Sequence, residues 1–201
     1  MLFRSLTFVL LVDAKSPHKT VADLTAAAKA KGDKTSYGYS NTFGVAAGEL
    51  YKQLAGLKSV GVSYPATPPA LIDMLRGDLD YLLSDSTFAI QQGDKVRGLA
   101  VTANTRLSTM ANVPTMIEAG VPNYDLSAWW GAWFPAGTPT AIVSRVEGWL
   151  NQEVRTPETK EFLNRNGAEP FPSSGKAMGD MTVVEIKKWG ELIKLAKIEP
   201  Q

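Results

Sequence analysis

Short runs of β-forming residues alternate with amphipathic helical stretches along the first half of the chain. The β-rich runs lie at 8–12, 35–39, 60–64, 80–83 and 98–101. Such alternation is typical of α/β folds, in which helices cover both faces of a mainly parallel sheet. The sequence therefore predicts an α/β fold with a parallel sheet.

Thr-Pro pairs mark the starts of three predicted helices. The pairs are Thr67-Pro68, Thr138-Pro139 and Thr156-Pro157. Threonine suits the N-cap because its hydroxyl accepts a hydrogen bond from the first turn, and proline suits the next position, where an N–H would have no partner. We predict that each threonine is an N-cap.

The last third of the chain contains more helix than strand. Helices are predicted over 139–154, 157–165 and 175–197, with one clear strand at 129–134 and a short one near 168–171. Amphipathic helices need a sheet or another helix to cover their apolar faces. The imbalance predicts that this region is one part of a second domain, with apolar surface that is exposed or covered by another chain.

The composition excludes several classes of function. Lys and Arg total 21 against 20 Asp and Glu, so the net charge of +1 offers no basic surface for nucleic acid. The chain has no cysteine, and its one histidine, His18, lies outside any spacing typical of metal ligands. It contains no nucleophile elbow and no dinucleotide or phosphate-binding loop. We expect no metal, no cofactor and no enzymatic activity.

The apolar N-terminal run allows two interpretations. Arg4 precedes it, as in a secretion signal, but the run is short, lacks a small-residue cleavage site and ends at Asp13 and Lys15. It is also too short to span a bilayer. We interpret 8–12 as a buried strand, with a degenerate export signal as the alternative.

Five blocks of sequence occur in the same order as in one known family. They are AGELYKQLAG at 47–56; VSY at 62–64 with PALIDML at 69–75 and GDLD at 77–80; GLAVT at 98–102; VPT at 113–115 with EAGVP at 118–122; and AWWG at 128–131 with PAGTP at 135–139. From about Phe8 to Pro200 the chain resembles the substrate-binding proteins of tripartite tricarboxylate transporters, the TctC or Bug family.

The resemblance implies a type II periplasmic-binding-protein fold, a two-lobed Venus flytrap. Residues 1–13 would cross into the second lobe, 14–103 would form that lobe, and 104–201 would return to the first lobe. Family members usually carry a signal peptide, further strands of the first lobe and a Pro-Gly-Gly loop that provides half of the site. The implied fold is thus one complete lobe and the C-terminal part of the other.

The resemblance also implies a function and partners. Family members bind dicarboxylates, tricarboxylates, acidic amino acids or aromatic acids in the periplasm and deliver them to a membrane permease. A sensory ligand-binding module, or a truncated product with little binding activity, are the alternatives. Self-association through the incomplete first lobe is a further expectation, because apolar helix faces there would lack cover.

Two loops are candidates for the carboxylate site. The first N–H groups of a helix have no partner within the helix, and the aligned peptide dipoles add positive charge, so a helix N-terminus binds anions. The loops 39–44 and 64–67 each lead from a predicted strand into a helix. Ligands bind at the C-terminal ends of the strands in open α/β sheets, so both loops are expected to face one cleft.

The first loop contains Ser40, Asn41, Thr42 and Gly44 as candidate ligand residues. Serine, asparagine and threonine are also preferred helix caps, so capping alone is the alternative. The resemblance favours ligand contact, although this loop is shorter than the Gly-rich form usual in the family.

The second loop contains Tyr64, Ala66 and Thr67 as candidates. Thr67 is predicted to cap the helix, and the backbone N–H groups near Ala66 and Thr67 are the predicted donors to the ligand. The loop and the first turn after it contain three prolines, which have no N–H, so this loop offers fewer donors.

Asp85 follows the predicted strand at 80–83 and is the last candidate. It can bind a ligand hydroxyl or amino group or organise water, although a bare carboxylate would repel a second one. A turn-forming aspartate is the alternative.

Trp129, Trp130 and Trp133 form an aromatic cluster in a predicted strand. Trp129 and Trp133 would share one face of that strand. Core packing is predicted for most of the three, and one of them can line the cleft and stack on an aromatic ligand.

Overall fold

The computed structural model describes the backbone of residues 2–195 and the side chains of residues 7–195. The strands are β1 (Leu2–Leu6), β2 (Phe8–Asp13), β3 (Ser36–Tyr39), β4 (Val60–Ser63), β5 (Tyr81–Asp85), β6 (Val96–Val101), β7 (Ala128–Gly131) and β8 (Ala168–Pro170). The α-helices are α1 (Val21–Lys31), α2 (Thr42–Ala55), α3 (Thr67–Arg76), α4 (Ser86–Gln92), α5 (Thr140–Glu153), α6 (Pro157–Arg165) and α7 (Gly175–Leu195). None of the described helices is both long and apolar enough to cross a membrane.

The larger sheet has five strands in the order β4-β3-β5-β2-β6. β3 is parallel to β4 and to β5, which confirms the predicted parallel sheet for these three strands. β2 is antiparallel to both of its neighbours, β5 and β6. It follows β1 directly, without a crossover helix, so it enters the sheet in the opposite direction. The α/β fold is confirmed, with one reversed strand.

β2 is the centre of the core. Leu10 and Val12 lie in one apolar cluster, and Val9 and Leu11 lie in the other, so both faces of the strand are buried. The first cluster also contains side chains of α1 and α2, and the second contains side chains of α3. The interpretation of 8–12 as a buried strand is therefore confirmed.

The first cluster continues past the five-stranded sheet along the chain. It includes Met116, Val121, Tyr124 and Leu126, and it takes up Leu192 from α7. The Tyr124 hydroxyl donates to the carbonyl of Ala47, 2.9 Å away, and so attaches this segment to α2. The lobe boundaries stay a prediction, but residues after 103 contribute to the core around β2.

A smaller sheet has the order β7-β1-β8, with β1 antiparallel to both neighbours. The strand β1 was not predicted from the sequence. The helices α5 and α6 agree with the predicted helices 139–154 and 157–165 within one residue. The predicted helix 175–197 is confirmed to Leu195, and its last two residues lie outside the described part.

The predicted caps are right at one Thr-Pro pair and wrong at two. The Thr156 hydroxyl accepts from the N–H of Thr159, as predicted. Thr67 is instead the first residue of α3, with Ala66 as N-cap, because its hydroxyl bonds to Ser40. The helix after Thr138 begins at Thr140, and the Thr138 hydroxyl donates to the carbonyl of Pro135.

Large apolar side chains are exposed on the helices around the smaller sheet. Examples are Ile142, Trp149, Phe162, Val183, Val184 and Ile186. Val183 is 70% exposed and Ile186 is 69% exposed on α7. Exposed apolar side chains that cluster on one helix, as on α7, are typical of interaction sites. The predicted self-association stays a prediction, and the surface of α7 offers a way to test it.

We expect the mass measured by light scattering after size-exclusion chromatography to rise with protein concentration. Introducing Val183→Lys and Ile186→Lys together should keep the chain monomeric to about tenfold higher concentration, because charged side chains disfavour apolar contact. Ile72→Lys, on α3 far along the chain, is the control and should leave the mass unchanged. A constant monomer mass in the parent chain would contradict the prediction.

Candidate functional site

The two candidate loops meet at one edge of the five-stranded sheet. β3 ends at Tyr39 and β4 ends at Ser63, and these parallel strands lie side by side. The hydroxyls of Ser40 and Thr67 are 2.9 Å apart and share a hydrogen bond. This bond joins the loop before α2 to the first residue of α3, so the two helix N-termini are adjacent.

The N-terminus of α2 has two free backbone donors. Asn41 is the N-cap, and its side-chain oxygen accepts from the N–H of Gly44 at 2.8 Å. The N–H of Val45 donates to the carbonyl of Asn41 at 3.1 Å. No residue in the described part of the chain accepts from the N–H groups of Thr42 and Phe43. These two donors, at the positive end of a 14-residue helix, suit an anion.

The N-terminus of α3 offers fewer backbone N–H donors than that of α2. Ala66 is the N-cap and makes no side-chain capping bond, and the second and third residues of the helix are Pro68 and Pro69. No residue within 2–195 accepts from the N–H of Thr67, and the two prolines after it have no N–H. The N-terminus of α3 therefore offers fewer backbone donors than that of α2, and α2 is the stronger of the two candidate sites.

The other candidates near these loops are engaged within the protein. Gly44 is buried, and a Cβ there would lie 3.1 Å from the Cβ of Tyr39, so Gly44 packs closely against the end of β3. The Tyr64 hydroxyl donates to the Asp73 carboxylate at 2.7 Å. Burial and this carboxylate raise the pKa of Tyr64 to about 12, so the hydroxyl stays protonated and directed at α3.

Asp85 acts as a helix cap. Its carboxylate accepts from the N–H of Phe88 at 2.9 Å and begins α4. This is the turn-forming role considered from the sequence, and contact with a ligand stays a prediction. The neighbouring Ser84 hydroxyl is buried and has no hydrogen-bond partner among the described residues.

Two chain crossings between the sheets are joined by threonine hydroxyls. The hydroxyls of Thr7 and Thr102 lie 2.9 Å apart, and both residues are buried. Thr7 also accepts from the N–H of Ala103, and Thr102 from the N–H of Phe8. Each hydroxyl therefore satisfies a backbone donor of the opposite crossing, and the two crossings form one rigid pair.

A second junction joins α4 to the turn between α6 and β8. The Ser86 hydroxyl donates to the carbonyl of Gly167 at 2.6 Å, and the Thr87 hydroxyl donates to the carbonyl of Asn166. The N–H of Ser86 also donates to the carbonyl of Thr7. Sequence reasoning missed these residues, since a Ser-Thr pair and an isolated glycine carry no sign of which partners they will meet.

Three aromatic rings connect the first candidate loop to distant parts of the chain. The ring of Phe43 lies 4.3 Å from that of Phe8 and 5.5 Å from that of Trp189, measured between centroids. Phe43 is the second residue of α2, and Trp189 belongs to α7. The loop is thus supported by the last helix, a contact that the sequence did not predict.

The predicted tryptophan cluster lies mostly at the surface. Trp129 and Trp133 contact each other, with centroids 5.9 Å apart. Trp133 is 64% exposed and Trp130 is 37% exposed, so the prediction of core packing is wrong for these two. β7 ends at Gly131, which leaves Trp133 in the following loop instead of on the sheet.

Comparison of the amino-acid sequence with known protein families gives a match. Residues 2–198 match the profile of the tripartite tricarboxylate transporter family receptor, TctC. The chain belongs to this family. The resemblance noted in the sequence is confirmed.

Two curated relatives extend well beyond the part that this TctC chain matches. The UPF0065 protein in the tcbD-tcbE intergenic region of Pseudomonas sp. (strain P51) is 28% identical over 199 residues, covering 96% of the chain and 59% of the relative. The UPF0065 protein in the TAR-I ttuE-ttuC' intergenic region of Agrobacterium vitis is 29% identical, covering 90% of the chain and 52% of the relative. The chain therefore spans about half to three-fifths of their length.

Solved structures of periplasmic binding proteins share the fold. Rpa4515 of R. palustris, determined with adipate, has a TM-score of 0.85 and 28% identity. The match covers 100% of the TctC chain and 69% of the Rpa4515 chain. The periplasmic binding protein BugD has a TM-score of 0.78 and 25% identity, with the same two coverages. The type II binding-protein fold, with one lobe incomplete, is therefore confirmed.

Proposed function

We propose that this TctC chain binds a small carboxylate outside the cytoplasm and delivers it to the permease of a tripartite tricarboxylate transporter. The observation that carries the proposal is the pair of adjacent helix N-termini joined by the Ser40–Thr67 hydrogen bond. The proposed role is binding and release, with no chemical step. Periplasmic location and the permease partner follow from the family.

The proposed carboxylate lies on the first turn of α2. One carboxylate oxygen accepts from the N–H of Thr42 and the other from the N–H of Phe43, with the N–H of Thr67 as a third donor. Hydrogen bonds to a charged acceptor are about twice as strong as neutral ones, so three such donors favour an acid over a neutral molecule. Rpa4515, which was solved with adipate, supports a dicarboxylate as the ligand.

Ser40, Asn41 and Asp85 have different proposed roles. The side chains of Asn41 and Asp85 each cap a helix, so they shape the site instead of contacting the carboxylate. Ser40 bonds to Thr67 and keeps the two N-termini together. Asp85 lies at the end of β5, where its second oxygen can accept from a hydroxyl or amino group on a substituted acid.

Calorimetric titration with adipate is the decisive test. We expect saturable binding of adipate and no binding of its neutral diamide, because only the acid carries the charge that the free N–H groups bind. A panel of shorter dicarboxylates and aromatic acids then ranks the ligands. Binding of neutral sugars without any acid would contradict the proposal, and no binding of any acid would favour the inactive, truncated alternative.

A further inference from the structure

The backbone and the side chain of Phe43 have different roles. Its backbone N–H is one of the two free donors at the start of α2. Its side chain is half-buried between the rings of Phe8 and Trp189. The direction of the N–H therefore depends on how these three rings pack.

We propose that Trp189 is a positioning residue for the anion site at the α2 N-terminus. Trp189 would not touch the ligand; it acts through the ring of Phe43. Its effect on affinity rests on the proposed function, whereas its effect on the order of the first turn of α2 does not. The proposal gives the last helix of the chain a role in ligand binding.

The position of Trp189 is determined mainly by packing. One turn further along α7, Leu192 is buried in the core around β2, and Trp189 itself packs against that core. The indole N–H donates to the Glu185 carboxylate at 3.1 Å. The Lys188 ammonium lies 3.4 Å from carboxylate oxygens of Glu185 and Asp125, and ion pairs that are partly exposed contribute little. Apolar packing against this core and against the ring of Phe43 therefore holds Trp189 more firmly than its polar contacts do.

Support of this kind matters at a helix terminus. The first turn of a helix opens more readily than its middle, so its order depends on caps and side-chain packing. Asn41 provides the cap on one side of the turn, and Phe43 provides the packing on the other. Hydrogen bonds weaken steeply as the donor angle departs from linear, so a disordered turn binds a carboxylate poorly.

Amide hydrogen exchange of Gly44 and Val45 tests the proposal without a ligand. Both N–H groups bond to Asn41, so their exchange reports opening of the first turn. Trp189→Ala should accelerate their exchange about tenfold or more, whereas Trp189→Phe, which keeps a ring against Phe43, should stay within about threefold of the parent chain. Trp149→Ala, at an exposed tryptophan of α5, is the matched control. It should leave the exchange rates of both amides unchanged.

Adipate affinity provides the second readout. Trp189→Ala should weaken adipate binding about tenfold, and Trp189→Phe should restore it to within about threefold. Should Trp189→Ala not fold, Trp189→Leu leaves a smaller cavity and also removes the ring, so it gives the same comparison. Unchanged exchange of Gly44 and Val45 in a folded Trp189→Ala or Trp189→Leu variant would overturn the inference. A parent chain that binds no acid would contradict the proposed function instead, and the exchange result alone would then decide the role of Trp189.

Discussion

Replacing Gly167 with alanine is expected to lower the free energy of unfolding by about 3 kcal/mol, the sum of a backbone and a steric cost. The backbone cost arises because Gly167 has a φ of +66°, in the left-handed range that side chains with a Cβ rarely adopt. The steric cost arises because a Cβ would lie 2.8 Å from the Ser86 hydroxyl oxygen and 2.9 Å from the backbone of Ser86 and Thr87. Backbone atoms cannot move aside without displacing α4.

Gly56→Ala is a matched control for the backbone cost. Gly56 ends α2 with the same φ of 66°, but nothing lies within 4 Å of its Cβ position. Gly56→Ala should therefore lower the free energy of unfolding by only about 1 kcal/mol. For a chain of this size, the melting temperature should fall roughly 6–12 °C for Gly167→Ala and roughly 2–4 °C for Gly56→Ala. Equal losses in the two variants would show that the junction between α4 and the Gly167 turn is not tightly packed.

Loss of this junction should also affect the proposed site. The Ser86 hydroxyl bonds to Gly167, and Ser86 directly follows Asp85 at the end of β5. Displacing α4 would therefore shift the edge of the sheet where β3 and β5 run side by side. Ser86→Ala removes the same hydrogen bond without a clash, and we expect it to cost about 1 kcal/mol. The difference in unfolding free energy between Ser86→Ala and Gly167→Ala therefore separates the loss of the hydrogen bond from the steric cost.

Local patterns in the sequence predicted most of the helices and strands. α6 was predicted at its observed bounds, and α5 within one residue, because periodicity and the Thr156-Pro157 pair are local signals. β1 was missed because its apolar run resembled part of a secretion signal. The reversal of β2 was missed because strand direction depends on the preceding connection, which periodicity does not reveal.

Tertiary contacts decided the features that the sequence did not predict. Thr67 does not cap α3 because its hydroxyl bonds to Ser40 in another loop. Ser86 meets Gly167, 81 positions later in the chain. Trp189 reaches Phe43 only because α7 packs on α2. The sequence thus predicted which loops form the candidate site, whereas the residues that support those loops depend on contacts between distant segments.

Thr42→Pro is expected to weaken adipate binding between about tenfold and a hundredfold. Thr42 is the first residue of α2, a position where proline is favoured, so the helix should form normally. The preceding residue, Asn41, has φ of −160° and ψ of 171°, an extended conformation that proline tolerates in its neighbour. The substitution therefore removes one N–H donor with little other change. A hydrogen bond to a charged group contributes about 1.5–3 kcal/mol, which sets the expected loss.

Two controls identify the N–H as the cause. Thr42→Val removes the hydroxyl but keeps the N–H, and it should bind adipate within about threefold of the parent chain. Thr140→Pro places proline at the first residue of α5, far from the site, and should leave both the melting temperature and adipate binding unchanged. If Thr42→Pro bound adipate as tightly as the parent chain while Thr42→Val lost affinity, the threonine hydroxyl would be the ligand. If neither changed, the carboxylate would bind elsewhere than the N-terminus of α2, because that helix would have lost a donor without consequence.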